Sequence, residues 1–447
     1  MPTIAQDKYG FLSKDFHQGN RERLREFLPE QSIAIFFAAE VKNRNGDVNF
    51  PYRQESSFLY LTGLNEPDAI LLMSKDSIRI DGKCTREILF LKETDQKESL
   101  WHGKTLQPEA ANREIGISYA ISKERFSPLI FDTLLQKDTI LTVFTYQPEN
   151  AFSFEKSIIP ARQREFQQKL LEKGILMKDA DEFLSELRAV KQPIEIDMIL
   201  KATDVAMMAH KQAIKSCTPG MYEYELAALA EYIFKKEGCL FPAYSPIVAS
   251  GKNALTLHYD RNAKKIEDGE LVLMDMSDEF QGYASDVTRT IPANGKFSAL
   301  QLMLYRLVLA AHDAALDACR TGNNFAAPHQ RACEVLSAGL MKLGIIQKPE
   351  DYKNYFMHGT SHTVGLDVHD SPITALEEGN VITIEPGLYI AENSPCDKKY
   401  WNIGIRLEDV VMITDEAPFV LSDALPLQPE AIEAMMQETG LGNLPVK

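Results

Sequence analysis

The most constraining stretch of the chain is LVLMDMSDEFQGYASDVTRTI (271–291), two strand-like runs about a polar turn at Glu279-Phe280-Gln281-Gly282. A hairpin symmetric about that turn pairs positions whose numbers sum to 561, which sets Asp275 opposite Asp286. Directly opposed side chains on one face have Cβ atoms about 4.5–5.5 Å apart, and two like charges there destabilise a sheet unless a cation lies between them. On this hairpin alone, two solvent-facing aspartates in another register account equally well for the pattern.

Three further segments bring more donors. FMHGTSHTVGLDVHD (356–370) holds three of the nine histidines, among glycines that permit close backbone approach. VITIEPGLYI (381–390) is a buried-type strand interrupted at Glu385-Pro386-Gly387, and a glutamate directly after Val-Ile-Thr-Ile is poorly placed for simple solvation. GIRLEDVVMIT (404–414) reads as one strand with Arg406 and Glu408 on a shared face, where a surface ion pair of little energetic value is the alternative to a functional role. Asp275, Asp286, His362, Glu385 and Glu408 together make four carboxylates and one imidazole. That set suits hard or borderline divalent ions. Four anionic ligands overcharge one zinc but suit two cations about 3.5–4 Å apart, which make a bridging hydroxide nucleophilic at neutral pH. No thiolate falls in the set, no HExxH motif is present, and no P-loop, GxGxxG after a strand or GxSxG elbow occurs.

Composition narrows the rest. At 447 residues the chain is long enough for two or three domains and a large core. A net charge of -16 argues against nucleic acid and anionic membranes as partners. Six cysteines at irregular spacing suggest a reducing compartment. The start of the chain has no apolar core after a basic stretch, and no apolar run reaches about 18 residues. No signal peptide or membrane span is expected, and the cytoplasm is the expected location.

Short apolar runs at 32–40, 68–74, 86–93 and 139–146 alternate with helical stretches within 12–28 and 155–174, an α/β pattern. From about residue 177 the texture changes: helices over 179–192, 194–217 and 222–238, then strands, then helices over 299–319 and 329–344, then strands again. The expected domains are 1–176 and 177–447. Helices followed by strands occurs twice in the second, which suggests an internal duplication without residue-level repeats. Trp101 reads as a partly buried surface residue.

In the order Asp275 with SDVTRT, HGTSHTVGLDVHD, TIEPGLYI and GIRLED, the chain resembles the Xaa-Pro aminopeptidases (aminopeptidase P), metallopeptidases of the pita-bread fold. FPYRQESSFLYLTGLNEPDAIL (50–71) is similar to the aminopeptidase P branch rather than the dipeptidases. The resemblance implies an α/β N-terminal domain for substrate access and oligomerisation, and an α+β catalytic domain of the creatinase and methionine aminopeptidase type. It implies two divalent ions, manganese first, with cobalt or zinc as the alternatives. Asp286 and Glu408 would bridge them, Asp275 would hold one, and His362 with Glu385 the other. Glu385 would shuttle a proton and His369 would stabilise the oxyanion. The substrate's amine would bind near Asp275, and His258, His358, Tyr244, Tyr389 and Arg406 would line the proline subsite. The expected partners are peptides with proline second and further copies of the chain, as homodimer or homotetramer. An Xaa-Pro dipeptidase is the alternative, and a non-catalytic peptide-binding protein the more distant one. The chain departs from the family at Met276-Ser277 (usually Ala-Gly), at Ser57 (commonly aspartate) and in the short loop after His369.

Overall fold

A computed structural model of the protein describes residues 12–136, 140, 142–146 and 160–444. Residues 155–159 of the expected helix over 155–174, and residues 139 and 141 of the expected strand over 139–146, lie outside these. The chain forms two compact units, Met1–Leu187 and Arg188–Lys447.

The first unit is built on a six-stranded mixed sheet. Its order is Ala120–Ser122, Lys83–Leu91, Ile70–Ile80, Ser32–Phe37, Thr142–Thr145 and Leu176–Asp179. Ser32–Phe37 is buried at every position because it is paired on both edges, antiparallel to Ile70–Ile80 and parallel to Thr142–Thr145. Ile33, Ile35, Phe37, Phe90, Phe126 and Phe166 belong to the unit's core. Residue 177 falls inside the last strand, which pairs in parallel with Thr142–Thr145, so the first unit runs on to Leu187. Trp101, on helix Gln96–His102, is 79% exposed.

The second unit alternates helices and short strands, twice. Helix Pro193–Ser216 opens with proline in its first turn, and Glu195 accepts from the backbone N–H of Gln192 at 3.0 Å. Helix Glu223–Lys236 comes after it. The sheet Ile247–Ser250, Leu271–Asp275, Thr288–Pro292 is next in the chain. Helices Ala299–Asp317 and Ala327–Lys342 precede the second sheet, Val381–Ile384, Asp409–Met412, Phe419–Val420. The two sheets meet at the bridge from Thr288 to Glu408. Gly404 is where strand Ile403–Arg406 crosses the turn Gly251–Leu255. A Cβ there would lie 2.5 Å from the Ala254 carbonyl oxygen, so only glycine fits.

Helix Ala299–Asp317 is, among the described residues, long and apolar enough to cross a membrane by length and composition, a test that a buried core helix also passes. Its buried residues, among them Leu304, Tyr305, Val308 and Ala315, pack on the neighbouring helix and strands as core.

The hairpin differs from the sequence expectation. Asp275 pairs with Thr288 and Phe280 with Tyr283, so paired numbers sum to 563, not 561. The turn is Gln281-Gly282, with φ of 56° and 88°. Two-residue hairpin turns that match strand twist need left-handed backbone at both positions, and Gly282 makes this pair the natural centre. Asp286 is therefore diagonal to Asp275, still on its face but not opposite it.

Candidate metal centre

Each carboxylate donor is placed at the end of a strand or at a break between two. Asp275 ends strand Leu271–Asp275, and Asp286 sits in the open stretch before Thr288–Pro292. Pro386 breaks 381–390 into Val381–Ile384 and Gly387–Ile390, leaving Glu385 at the break. The expected single strand over 404–414 is likewise two, Ile403–Arg406 and Asp409–Met412, with Glu408 between them. His362 is held by its backbone, whose N–H donates to Thr383 Oγ1 at 3.1 Å.

These side chains converge. Asp286, His362 and Glu408 offer ligand atoms that all lie within 4.8 Å of one another. His362 Nε2 is 3.3 Å from Asp286 Oδ2 and 3.6 Å from Glu385 Oε1. Tyr244 Oη lies 2.5 Å from Asp275 Oδ1 and 2.6 Å from Asp286 Oδ1, so one phenol ties the two aspartates together. Arg406 is buried and is no surface partner of Glu408. It reaches Asp275 Oδ2 at 2.5 Å, Tyr389 Oη at 3.1 Å and Thr288 Oγ1 at 3.3 Å. Thr288 in turn donates to Glu408 Oε2 at 2.6 Å.

The histidines form the other wall. His358 Nε2 meets Tyr389 Oη at 2.8 Å, and its Nδ1 lies 3.5 Å from Glu385 Oε2. The His369 ring lies against His362, centroids 4.0 Å apart. His258 is exposed on the turn after Leu255.

Protonation reflects burial and crowding. Burial raises Glu385 to about 7. Burial, then the charges of Asp286, Glu385 and Asp275, lift Glu408 well above the carboxylate range. Burial also raises Asp275, against the opposing pull of Arg406. For Asp286 burial pushes upward, but the His362 hydrogen bond and charge outweigh it and the net direction is down. His362 rises to about 9: burial works against it, and Asp286 and Glu385 prevail. Burial brings His369 to about 4 and His358 to about 3. Four carboxylates, Asp275, Asp286 and Glu408 buried and Glu385 half-buried, thus crowd around two cationic partners, Arg406 and His362. The surplus negative charge and the oxygen-rich donor set fit divalent cations.

Sequence reasoning missed Thr288 and Thr383, which orient ligands, and His210, which meets the backbone of the ligand hairpin. Thr288 comes two residues after Asp286 and so shares its face, a signal that could have found it. His210 stands alone in a helix and carries no such signal.

Residues 197–415 match metallopeptidase family M24, and residues 17–142 match the aminopeptidase P N-terminal domain. The chain is 34% identical over 441 residues to the Xaa-Pro aminopeptidase of Escherichia coli (strain K12), covering 95% of this chain and 98% of that protein. The structure of Pseudomonas aeruginosa aminopeptidase PepP superposes with a TM-score of 0.86 at 34% identity, over 95% of this chain and 98% of that one. Aminopeptidase P from E. coli with the inhibitor Pro-Leu gives 0.84 at 34% identity, with the same coverage.

Proposed function

The chain belongs to the Xaa-Pro aminopeptidases of metallopeptidase family M24, and on that premise we propose that it releases the N-terminal residue from peptides with proline in the second position. The observation that carries this reading is the convergence of Asp286, His362 and Glu408, with Glu385 against His362 and Asp275 tied to Asp286 through Tyr244, within a pita-bread catalytic unit.

In this reading Asp286 and Glu408 would be shared by two divalent cations, Asp275 would help hold one of them, and His362 with Glu385 the other. Manganese is the ion we assign, with cobalt or zinc as substitutes. When bound, the cations supply Lewis acidity toward the scissile carbonyl and make water acidic enough to react at neutral pH.

The side chains divide the remaining work. Glu385, raised to about 7 by burial, takes a proton at a carboxylate oxygen and returns it to the departing proline nitrogen. His369 is neutral at pH 7 and so retains one N–H to donate to the developing oxyanion. The substrate's amine binds beside Asp275, whose position Tyr244 and Arg406 hold. His258, His358 and Tyr389 border the subsite for proline and for the substrate residue after it. Peptides with penultimate proline are the substrates, a homodimer or homotetramer is the assembly, and the cytoplasm is the compartment.

The test is cleavage of matched Xaa-Pro-Yaa, Xaa-Ala-Yaa and Xaa-Pro peptides by Mn²⁺-loaded protein, with metal content measured on the same sample. Release of the first residue from Xaa-Pro-Yaa alone is expected. Higher kcat/KM on the dipeptide would make the protein a dipeptidase. No cleavage under any metal would overturn the reading.

A further inference from the structure

Helix Pro193–Ser216 runs behind the ligand hairpin and touches it at two points one residue either side of Asp286. At residue 285 the contact is Ser285 Oγ to Thr203 Oγ1, 2.9 Å. At residue 287 it is the carbonyl oxygen of Val287, which lies 3.0 Å from His210 Nε2. The same Nε2 lies 3.0 Å from the carbonyl oxygen of Met276, the residue after Asp275. Thr203, His210 and Ser285 are fully buried.

The chemistry of these contacts is determined. Two carbonyls can only accept, so Nε2 carries the ring proton and shares it between them. His210 Nδ1 finds no partner among the described residues. Burial lowers the ring to about 3, so it stays in this neutral form. Thr203 Oγ1 donates to the Ile199 carbonyl at 2.8 Å, so the Ser285 hydroxyl donates to Thr203.

The location gives the contacts their meaning. Regular pairing between the hairpin strands stops at Asp275–Thr288 and resumes at Glu279–Ala284. Inside that gap lies Asp286, together with Met276 and Val287. Two backbone hydrogen bonds still cross that gap, Met276 N–H to the Val287 carbonyl at 3.2 Å and Ser285 N–H to the Asp278 carbonyl at 3.1 Å, and the helix adds a second hold on the Met276 and Val287 carbonyls from outside the hairpin.

We propose that His210, assisted by Thr203, is a positioning residue for the metal centre, holding the backbone beside Asp275 and Asp286 at the spacing that two cations require. This rests on the assignment of those aspartates as ligands. Orienting partners beyond the ligands typically contribute about 10–100-fold in metal affinity.

The experiment is titration of chelator-stripped full-length protein with Mn²⁺ by calorimetry, on His210→Ala, His210→Gln, Thr203→Val and Asp286→Ala, each with its melting temperature. His210→Ala is expected to weaken Mn²⁺ binding about tenfold or more. His210→Gln, which keeps an N–H donor, is expected to recover most of that loss, and Thr203→Val to show a smaller one. A purely structural role would lower the melting temperature and leave the isotherm unchanged, and that result overturns the proposal. If His210→Ala does not fold, Thr203→Val decides: a wild-type isotherm for it overturns the proposal. Unchanged binding in Asp286→Ala instead would strike at the ligand assignment itself, a separate failure.

Discussion

Arg406 closes on Asp275 at 2.5 Å, 131 positions away along the chain, and not on Glu408 two positions after it. The pair is buried, with side chains 5% and 11% exposed, so each charge depends on the other while no cation is bound. Removing one member of a buried pair costs about 3–5 kcal/mol. Arg406→Met is expected to lose that much in urea denaturation of chelator-stripped protein, and clearly less in Mn²⁺-saturated protein, where the cation neutralises Asp275. Equal losses in both states would mean that Asp275 does not face the metal.

Asp286→Ala and Glu408→Ala should each abolish turnover and lower bound metal, because each would remove a bridging ligand. Metal analysis of dialysed protein and steady-state assays on the same batch check both. Near-normal turnover in either variant would refute the bridging role.

Binding of cations to the folded state alone must also stabilise it. Free Mn²⁺ at a hundred times its dissociation constant adds about 2.7 kcal/mol per site. Thermal melts across a Mn²⁺ series should rise steadily, and a melting temperature indifferent to Mn²⁺ and to chelator would contradict a metal held by the native fold.

Asp278 gives a pH dependence remote from turnover. Burial raises its carboxyl to about 7, against a smaller opposing effect of the Cys239 thiol, which donates to Oδ2 at 2.6 Å. Between the ordinary aspartate value and 7, the folded protein retains a proton that the unfolded chain has lost. Stability from this group is therefore fully present below the lower value and is lost as pH rises toward 7. Asp278→Asn should match wild type near pH 4 and exceed it above pH 7, by up to about 4 kcal/mol. Parallel stability curves would rule this out.

The helices of the second unit were legible because period and punctuation agree: Pro193 starts one, Thr218-Pro219 lies just past its end, and Ser298 caps another. The five donors could be picked out because carboxylates after apolar runs are costly without partners. Their exact pairing could not. The register erred by two because Gln281, an ordinary residue in left-handed backbone, is half of the turn. The partner of Arg406 could not be read because a strand pattern specifies faces, and Asp275 lies across the fold 131 residues earlier. His210 was invisible for a similar reason: a lone buried histidine declares its role only through the carbonyls it meets.

The turn at Gln281-Gly282 fixes the pairing register of the hairpin. A one-residue slip of pairing across that turn would exchange the faces of every side chain on the slipped strand. Asp286 would leave the face it shares with Asp275 in a single step, with no intermediate register that keeps both.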